Sequence, residues 1–137
     1  MSVFKIFDVA GSGMSAQMLR LNTVSSNLAN AETMASRPED VYKARHPVFQ
    51  SVLNDSMGEQ GAATVKVSEI VESNTPAVSH YMPGHPLANG DGYVFSTGIN
   101  AVEEMADMIS ASRSYQNNVE VLSTTKELLI RTLQLGR

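Results

Sequence analysis

The sequence predicts a mainly α chain with a small β and loop insert. Long N- and C-terminal helices form an antiparallel coiled-coil pair, and short strands and extended loops fill the middle. Apolar residues recur at alternating four- and three-residue spacing through the first thirty positions and again from 101 to 133. All five prolines and six of the nine glycines fall between residues 32 and 99, where they interrupt any long helix. Charge follows the same division: residues 1–31 carry only Lys5, Asp8 and Arg20, whereas 32–99 hold eight acids and four bases. A nearly uncharged amphipathic end is suited to being covered by protein rather than by water. The expected units are residues 1–31, 32–99 and 100–137.

In the first helix the seam is Val3, Phe7, Ala10, Met14, Gln17, Leu21, Val24, Leu28 and Ala31, with Gln17 its single polar member. Phe4 and Met18 widen it. Gly11 and Gly13 weaken the helix by roughly 1 kcal/mol each relative to Ala, and would let a neighbouring backbone come close.

The middle segment predicts extended pieces at Val41–Phe49, Thr64–Glu72 and Gly92–Ser96. Of these, 64–72 is the strand with the clearer pattern, alternating through Val65 and Val67 before breaking at Ile70 and Val71. Pro83, Gly84, Pro86, Gly90 and Gly92 make the approach to the second helix turn-rich.

Residues 100–135 carry the stronger helix signal. Asn100 is placed as an N-cap, with Glu103 three positions on as in a capping box. Glu104 and Asp107 add negative charge near the start, and Lys126, Arg131 and Arg137 lie toward the end, which suits the helix dipole. Gly136 is placed as a C-cap. The expected seam is Ala101, Met105, Met108, Ser112, Tyr115, Val119, Leu122, Lys126, Leu129 and Leu133, widened by Val102, Ile109 and Ile130. Such a helix is roughly 50 Å long, more than a chain of 137 residues normally encloses in a globule. Two of them need each other, or a neighbour, to bury their seams.

Composition excludes several classes. Apolar residues make up 42% of the chain, enough for a core, but Trp is absent and only four Phe and four Tyr are present. A compact globule would lack its usual large anchors, whereas eight Met suit adaptable contact surfaces. A net charge of −4 and a pI near 5.3 argue against nucleic acid and anionic membranes as partners. The absence of cysteine excludes disulfides and thiolate sites. No apolar run approaches the roughly 18–20 residues that span a bilayer, and the N-terminus carries no signal-peptide hydrophobic region. Export, if it occurs, is expected without a cleaved signal.

The chemical motifs are weak. Ala10-Gly11-Ser12-Gly13 superficially resembles a phosphate loop, but no strand precedes it and a third glycine is missing. His46, His80 and His85 lack a local carboxylate or thiolate at metal-ligand spacing, and read as loop hydrogen-bonding groups. The acid pairs Glu39–Asp40 and Glu103–Glu104 have no nucleophile or oxyanion donor beside them. No enzyme, metal or cofactor is expected. Two polar clusters stand out: Ser25–Thr33, with Asn27 and Asn30 on one side of the first helix, and Ser112–Asn118 in the middle of the second. The first reads equally as a helix stop, and the second as either a solvated face or a polar layer that sets register.

These clusters also carry a resemblance. Ser12-Gly13-Met14 through Arg20-Leu21, with Ser26-Asn27-Leu28-Ala29-Asn30-Ala31-Glu32-Thr33, resembles the N-terminal signature of flagellar basal-body rod proteins. Pro83-Gly84-His85-Pro86, Asp91-Gly92-Tyr93-Val94 and Asn100–Val121 resemble the proximal rod subunits of that family. Two departures stand beside it. Phe95-Ser96-Thr97-Gly98-Ile99-Asn100 replaces a more usual proline–asparagine–valine approach to the helix, and residues 54–63 match no family segment.

The resemblance implies a bacterial axial protein of the basal body, passed through the flagellar type III export apparatus into a periplasmic rod. It implies helical polymerisation into a torque-transmitting shaft, with terminal helices that order on assembly. Implied partners are copies of the chain, other rod proteins and the protein joining rod to membrane ring, without nucleic acid or membrane insertion.

The helix-pair and subunit interface is expected at Phe7, Met14, Leu21, Val24 and Leu28, and at Met105, Met108, Tyr115, Val119, Leu122, Leu129 and Leu133. Polar contacts setting register or packing are expected at Asn27, Asn30, Arg113 and Asn117. The competing readings are a preformed helical adaptor or secretion chaperone, and a small hydrolase or metal enzyme.

Overall fold

The structure is a computed structural model that describes residues 3–53 and 63–136. Its elements are α1 (Val3–Asn30), β1 (Met34–Ala35), a 3-10 turn at Pro38–Asp40, β2 (Arg45–Leu53), β3 (Ala63–Glu72), β4 (Val78–Tyr81), β5 (Tyr93–Ser96) and α2 (Ala101–Leu135). Two long helices thus flank a small β region, as the periodicity and the proline distribution predict. Asn100 caps α2 by accepting the Val102 N–H at 3.1 Å.

The helices pack side by side and run in opposite directions. Gly13 lies against Asn118, Arg20 pairs with Asp107, and Asn27 bonds Glu104. Along α2 a stripe of buried and half-buried positions runs Glu104, Met108, Ala111, Tyr115, Asn118, Leu122, Thr125 and Leu129. The three–four period is the expected one, but alternate positions sit one residue earlier. Glu104, Ala111, Asn118 and Thr125 take the places expected for Met105, Ser112, Val119 and Lys126. Ala111 and Thr125 are buried there, whereas Met105 and Val119 turn outward; the facing helix selects this phase, with Asn27 bonding Glu104 and Gly13 admitting Asn118. On α1, Ala10 and Val24 are buried in the expected stripe, while Ala16, Thr23 and Asn27 are buried beside it.

The β region forms two separate sheets. Strands β2 and β3 make an antiparallel hairpin with a register shift between Val48 and Phe49. Strands β1, β5 and β4 form a small antiparallel sheet in that order, centred on the fully buried Val94. Residues 41–44 were expected to be extended with 45–49, but β2 starts at Arg45. Val41 and Ala44 are buried instead, and Tyr42 is held by α1. The piece expected at Thr64–Glu72 is β3, and that at Gly92–Ser96 is β5. Strand β4 was not expected: Val78-Ser79-His80-Tyr81 is exposed throughout and carries no alternating pattern. Of the stretch 54–63, all but Ala63 lies outside the described residues.

Sheet and helices meet where α1 ends and α2 begins. The Thr97 hydroxyl donates to the Ala31 carbonyl at 2.6 Å, beside the β1–β5 pairs Met34↔Ser96 and Ala35↔Phe95. Gly98 passes so near Thr75 and Pro76 that a Cβ there would stand 2.6 Å from Thr75 Cγ2. A side chain at 98 would displace this approach.

Candidate functional site

The α1–α2 face is the candidate site, and Asn27 is its centre. Its side chain is fully buried. Its Nδ2 donates to the Arg45 carbonyl at 2.9 Å and to Glu104 Oε2 at 3.1 Å. Its Oδ1 accepts from the Arg45 N–H at 2.9 Å and from the Tyr42 hydroxyl at 3.1 Å. An amide side chain offers two donors and two acceptor lone pairs, so every one is used. Because Tyr42 gives its proton to Asn27, its oxygen accepts from the Ser26 hydroxyl at 3.1 Å. One asparagine on α1 thereby binds α2, through Glu104, and the first residue of β2. Arg45 extends the node outward, lying over the Tyr42 ring at 5.9 Å and reaching Glu72 across the hairpin at 3.5 Å.

A half-exposed ion pair, Arg20 to Asp107 at 2.9 Å, ties the helices further along. Further still, a Cβ on Gly13 would meet Asn118 Nδ2 at 3.0 Å, whereas one on Gly11 would meet nothing within 4 Å. Of the two glycines expected to admit a neighbour, only Gly13 has one, and it is a side chain. Gln17, the polar member of the expected seam, keeps Oε1 buried with no hydrogen-bond partner among the described residues.

On its other side α1 meets the hairpin, where the Val65 N–H donates to the Ser12 hydroxyl at 3.2 Å. Between them opens an apolar groove of about 710 Å³, with Met14, Met18 and Leu19 on one wall, Val65 and Val67 on another, and Tyr115 reaching in from α2.

The interface residues expected from sequence are placed unevenly. Val24 is buried, and Phe7, Met14, Leu21, Leu28, Met108, Tyr115, Leu122 and Leu129 are half-buried. Met105, Val119 and Leu133 are exposed, at 47%, 42% and 72%. Among the polar candidates, Asn27 is buried and Asn30 half-buried, its Nδ2 donating to the Ser26 carbonyl at 2.8 Å. Arg113 and Asn117 are exposed. Sequence reasoning missed Glu104, Tyr42 and Arg45. The stripe alone does not separate Glu104 from Met105, because counting by threes and fours back from Leu129 arrives at 104 or at 105 according to which step comes first. The histidines serve local bonds: His80 pairs with Ser96 at 3.0 Å, and His85 Nδ1 accepts the Leu87 N–H at 3.1 Å.

What the subunit leaves uncovered is as distinctive as the node. Its buried apolar residues are Ala10, Ala16, Val24, Val41, Ala44, Val94 and Ala111; among the described residues no Leu, Ile, Met or Phe is buried. Phe4, Val102, Ile109, Leu128, Leu133 and Leu135 are all more than half exposed. Among the described residues no helix is long and apolar enough to cross a membrane.

Comparison with known proteins returns one family at both ends of the chain. The family described as flagella basal body rod protein matches residues 7–34, and that described as flagellar basal body rod FlgEFG protein C-terminal matches residues 91–135. Flagellar basal-body rod protein FlgC of Salmonella typhimurium is 44% identical over 137 residues, spanning the whole of both chains. The FlgC proteins of Escherichia coli O157:H7 and Bacillus subtilis are 46% and 33% identical, again over the whole of both chains.

Proposed function

Since the chain belongs to the flagellar basal-body rod protein family, among its FlgC proximal-rod members, we propose that it polymerises helically through its terminal helices into a torque-transmitting shaft. It is a structural subunit of the basal-body rod, and its relatives are structural rod proteins. The observation that carries the assembly reading is the missing large-residue core. Aromatic and aliphatic side chains along both helices stay uncovered, although burial stabilises by roughly 25 cal/mol per Å². Neighbouring subunits supply that cover.

In this reading the helices form an antiparallel coiled coil. Its period and its opposed contacts at Gly13, Arg20 and Asn27 support that geometry. Residues 1–31 and 100–137 make one helical unit, and 32–99 the unit displayed outside it. Phe7, Met14, Leu21, Val24 and Leu28 work against Met108, Tyr115, Leu122 and Leu129 within the pair. Asn27 and Asn30 set register there, while the exposed Met105, Val119, Leu133, Arg113 and Asn117 meet other subunits. The neighbours are copies of the chain, other rod proteins and the protein that joins rod to membrane ring. Delivery runs through the flagellar type III export apparatus into the periplasm.

Leu133→Asp tests the assembly step. Leu133 is 72% exposed, so the charge leaves the helix pair intact while blocking an intersubunit contact. Expected are a secreted chain, basal bodies depleted of it and loss of swimming. Normal swimming by this mutant would overturn the reading.

A further inference from the structure

We infer that Glu104 is a positioning residue: it holds the Asn27 amide in place from α2, so that docking of the hairpin onto α1 depends on pairing of the two helices. The helix dipole already explains an acid in the first turn of α2, but it does not explain this one's burial. Glu103, one residue earlier, enjoys the same dipole and is exposed, whereas Glu104 is 6% exposed and bonds Asn27. A buried carboxylate is costly unless it is hydrogen-bonded, and here the bond comes from a neighbouring helix.

The amide carries two loads. Through one N–H and one lone pair it pairs with the backbone of Arg45, as another strand would. Through its second N–H it is held by Glu104, and through its second lone pair by Tyr42. Remove the carboxylate and that N–H is left buried without an acceptor, and the amide that anchors β2 is held by Arg45 and Tyr42 alone, with no tie to α2. Separate α2 from α1 and the same bond breaks. The node therefore makes the order of the β2–β3 arm conditional on the helix pair, independently of which subunits lie outside.

The acceptor role separates from mere space filling by a set of substitutions in the full chain, assayed in purified basal bodies. Amide exchange is read on peptides covering residues 42–50 and, as a reference, on α1 before residue 20. Glu104→Gln keeps an acceptor oxygen and leaves exchange at 42–50 within about threefold of the parent. Glu104→Met keeps the volume without the acceptor and raises exchange there by about tenfold, the scale of one lost buried hydrogen bond, while α1 before residue 20 is unchanged. Asn27→Asp sets two carboxylates against each other and lowers recovery of the subunit in basal bodies by at least about tenfold. Adding Glu104→Gln to Asn27→Asp supplies a donor between the helices and restores at least about threefold of that loss, while the Arg45 carbonyl still lacks the N–H that Asn27 gave it. Equal exchange in the Gln and Met variants, or a double variant recovered no better than Asn27→Asp alone, overturns the inference.

Discussion

Gly11 and Gly13 lie two residues apart on α1 in opposite surroundings. Nothing stands within 4 Å of where a Gly11 side chain would grow, while Asn118 Nδ2 stands 3.0 Å from where a Gly13 side chain would begin. Gly11→Ala therefore gains helix propensity, about 1 kcal/mol, and raises the helicity of the isolated chain by circular dichroism. Gly13→Val adds branches into Asn118 and costs about 1–3 kcal/mol by overpacking, which lowers the thermal stability of assembled subunits. Both glycines look alike in sequence, because the residue that distinguishes them lies on the other helix. Asn27 was legible as a singular residue in a helix-end cluster. Its partners were not: Glu104 already had a sufficient local explanation in the helix dipole, and Tyr42 and Arg45 sit in a segment expected to be extended.

The helices themselves were legible because a 3.5-residue apolar period sustained over thirty residues has few other solutions. The phase of α2 was not. Met105 and Val119 outweigh Glu104 and Asn118 in apolarity, yet the helices approach along Ala111 and Thr125, because the phase is set by partners on the facing helix, where Asn27 bonds Glu104 and Gly13 admits Asn118. β4 escaped for a related reason: an exposed four-residue strand has no buried face to impose alternation. Leu122 is one of four positions, with Met108, Tyr115 and Leu129, where the expected and observed stripes coincide, half-buried on α2. Leu122→Asp places a charge in the helix pair and should prevent incorporation into rods. Quantifying the subunit in basal bodies, alongside a swim assay, checks this; retention at parental levels would mean that the pair tolerates a charge at its middle.

For the molecule as a whole, a core of alanines and valines is a weak reason to fold alone. Burial of large side chains supplies most of the favourable free energy that must offset roughly 1–2 kcal/mol of backbone entropy per residue. Here those side chains wait for neighbours. The dilute chain should accordingly show low helicity in far-ultraviolet circular dichroism, rising on co-assembly with rod partners. High helicity that does not change with dilution would identify a preformed bundle, and the adaptor reading would then account for the chain better.

The tie between Thr97 and Ala31, reinforced by the β1–β5 pairs, has a consequence for how such chains vary. It staples the first residue after α1 to the approach of α2, so the intervening chain leaves and returns beside one end of the helix pair and docks along α1 through Asn27 and Ser12. Insertions or deletions away from these docking contacts change the length of the segment without altering the spacing of the helices. Loop closure costs grow only logarithmically with length, so the segment tolerates changes of length while the helix pair keeps one gauge.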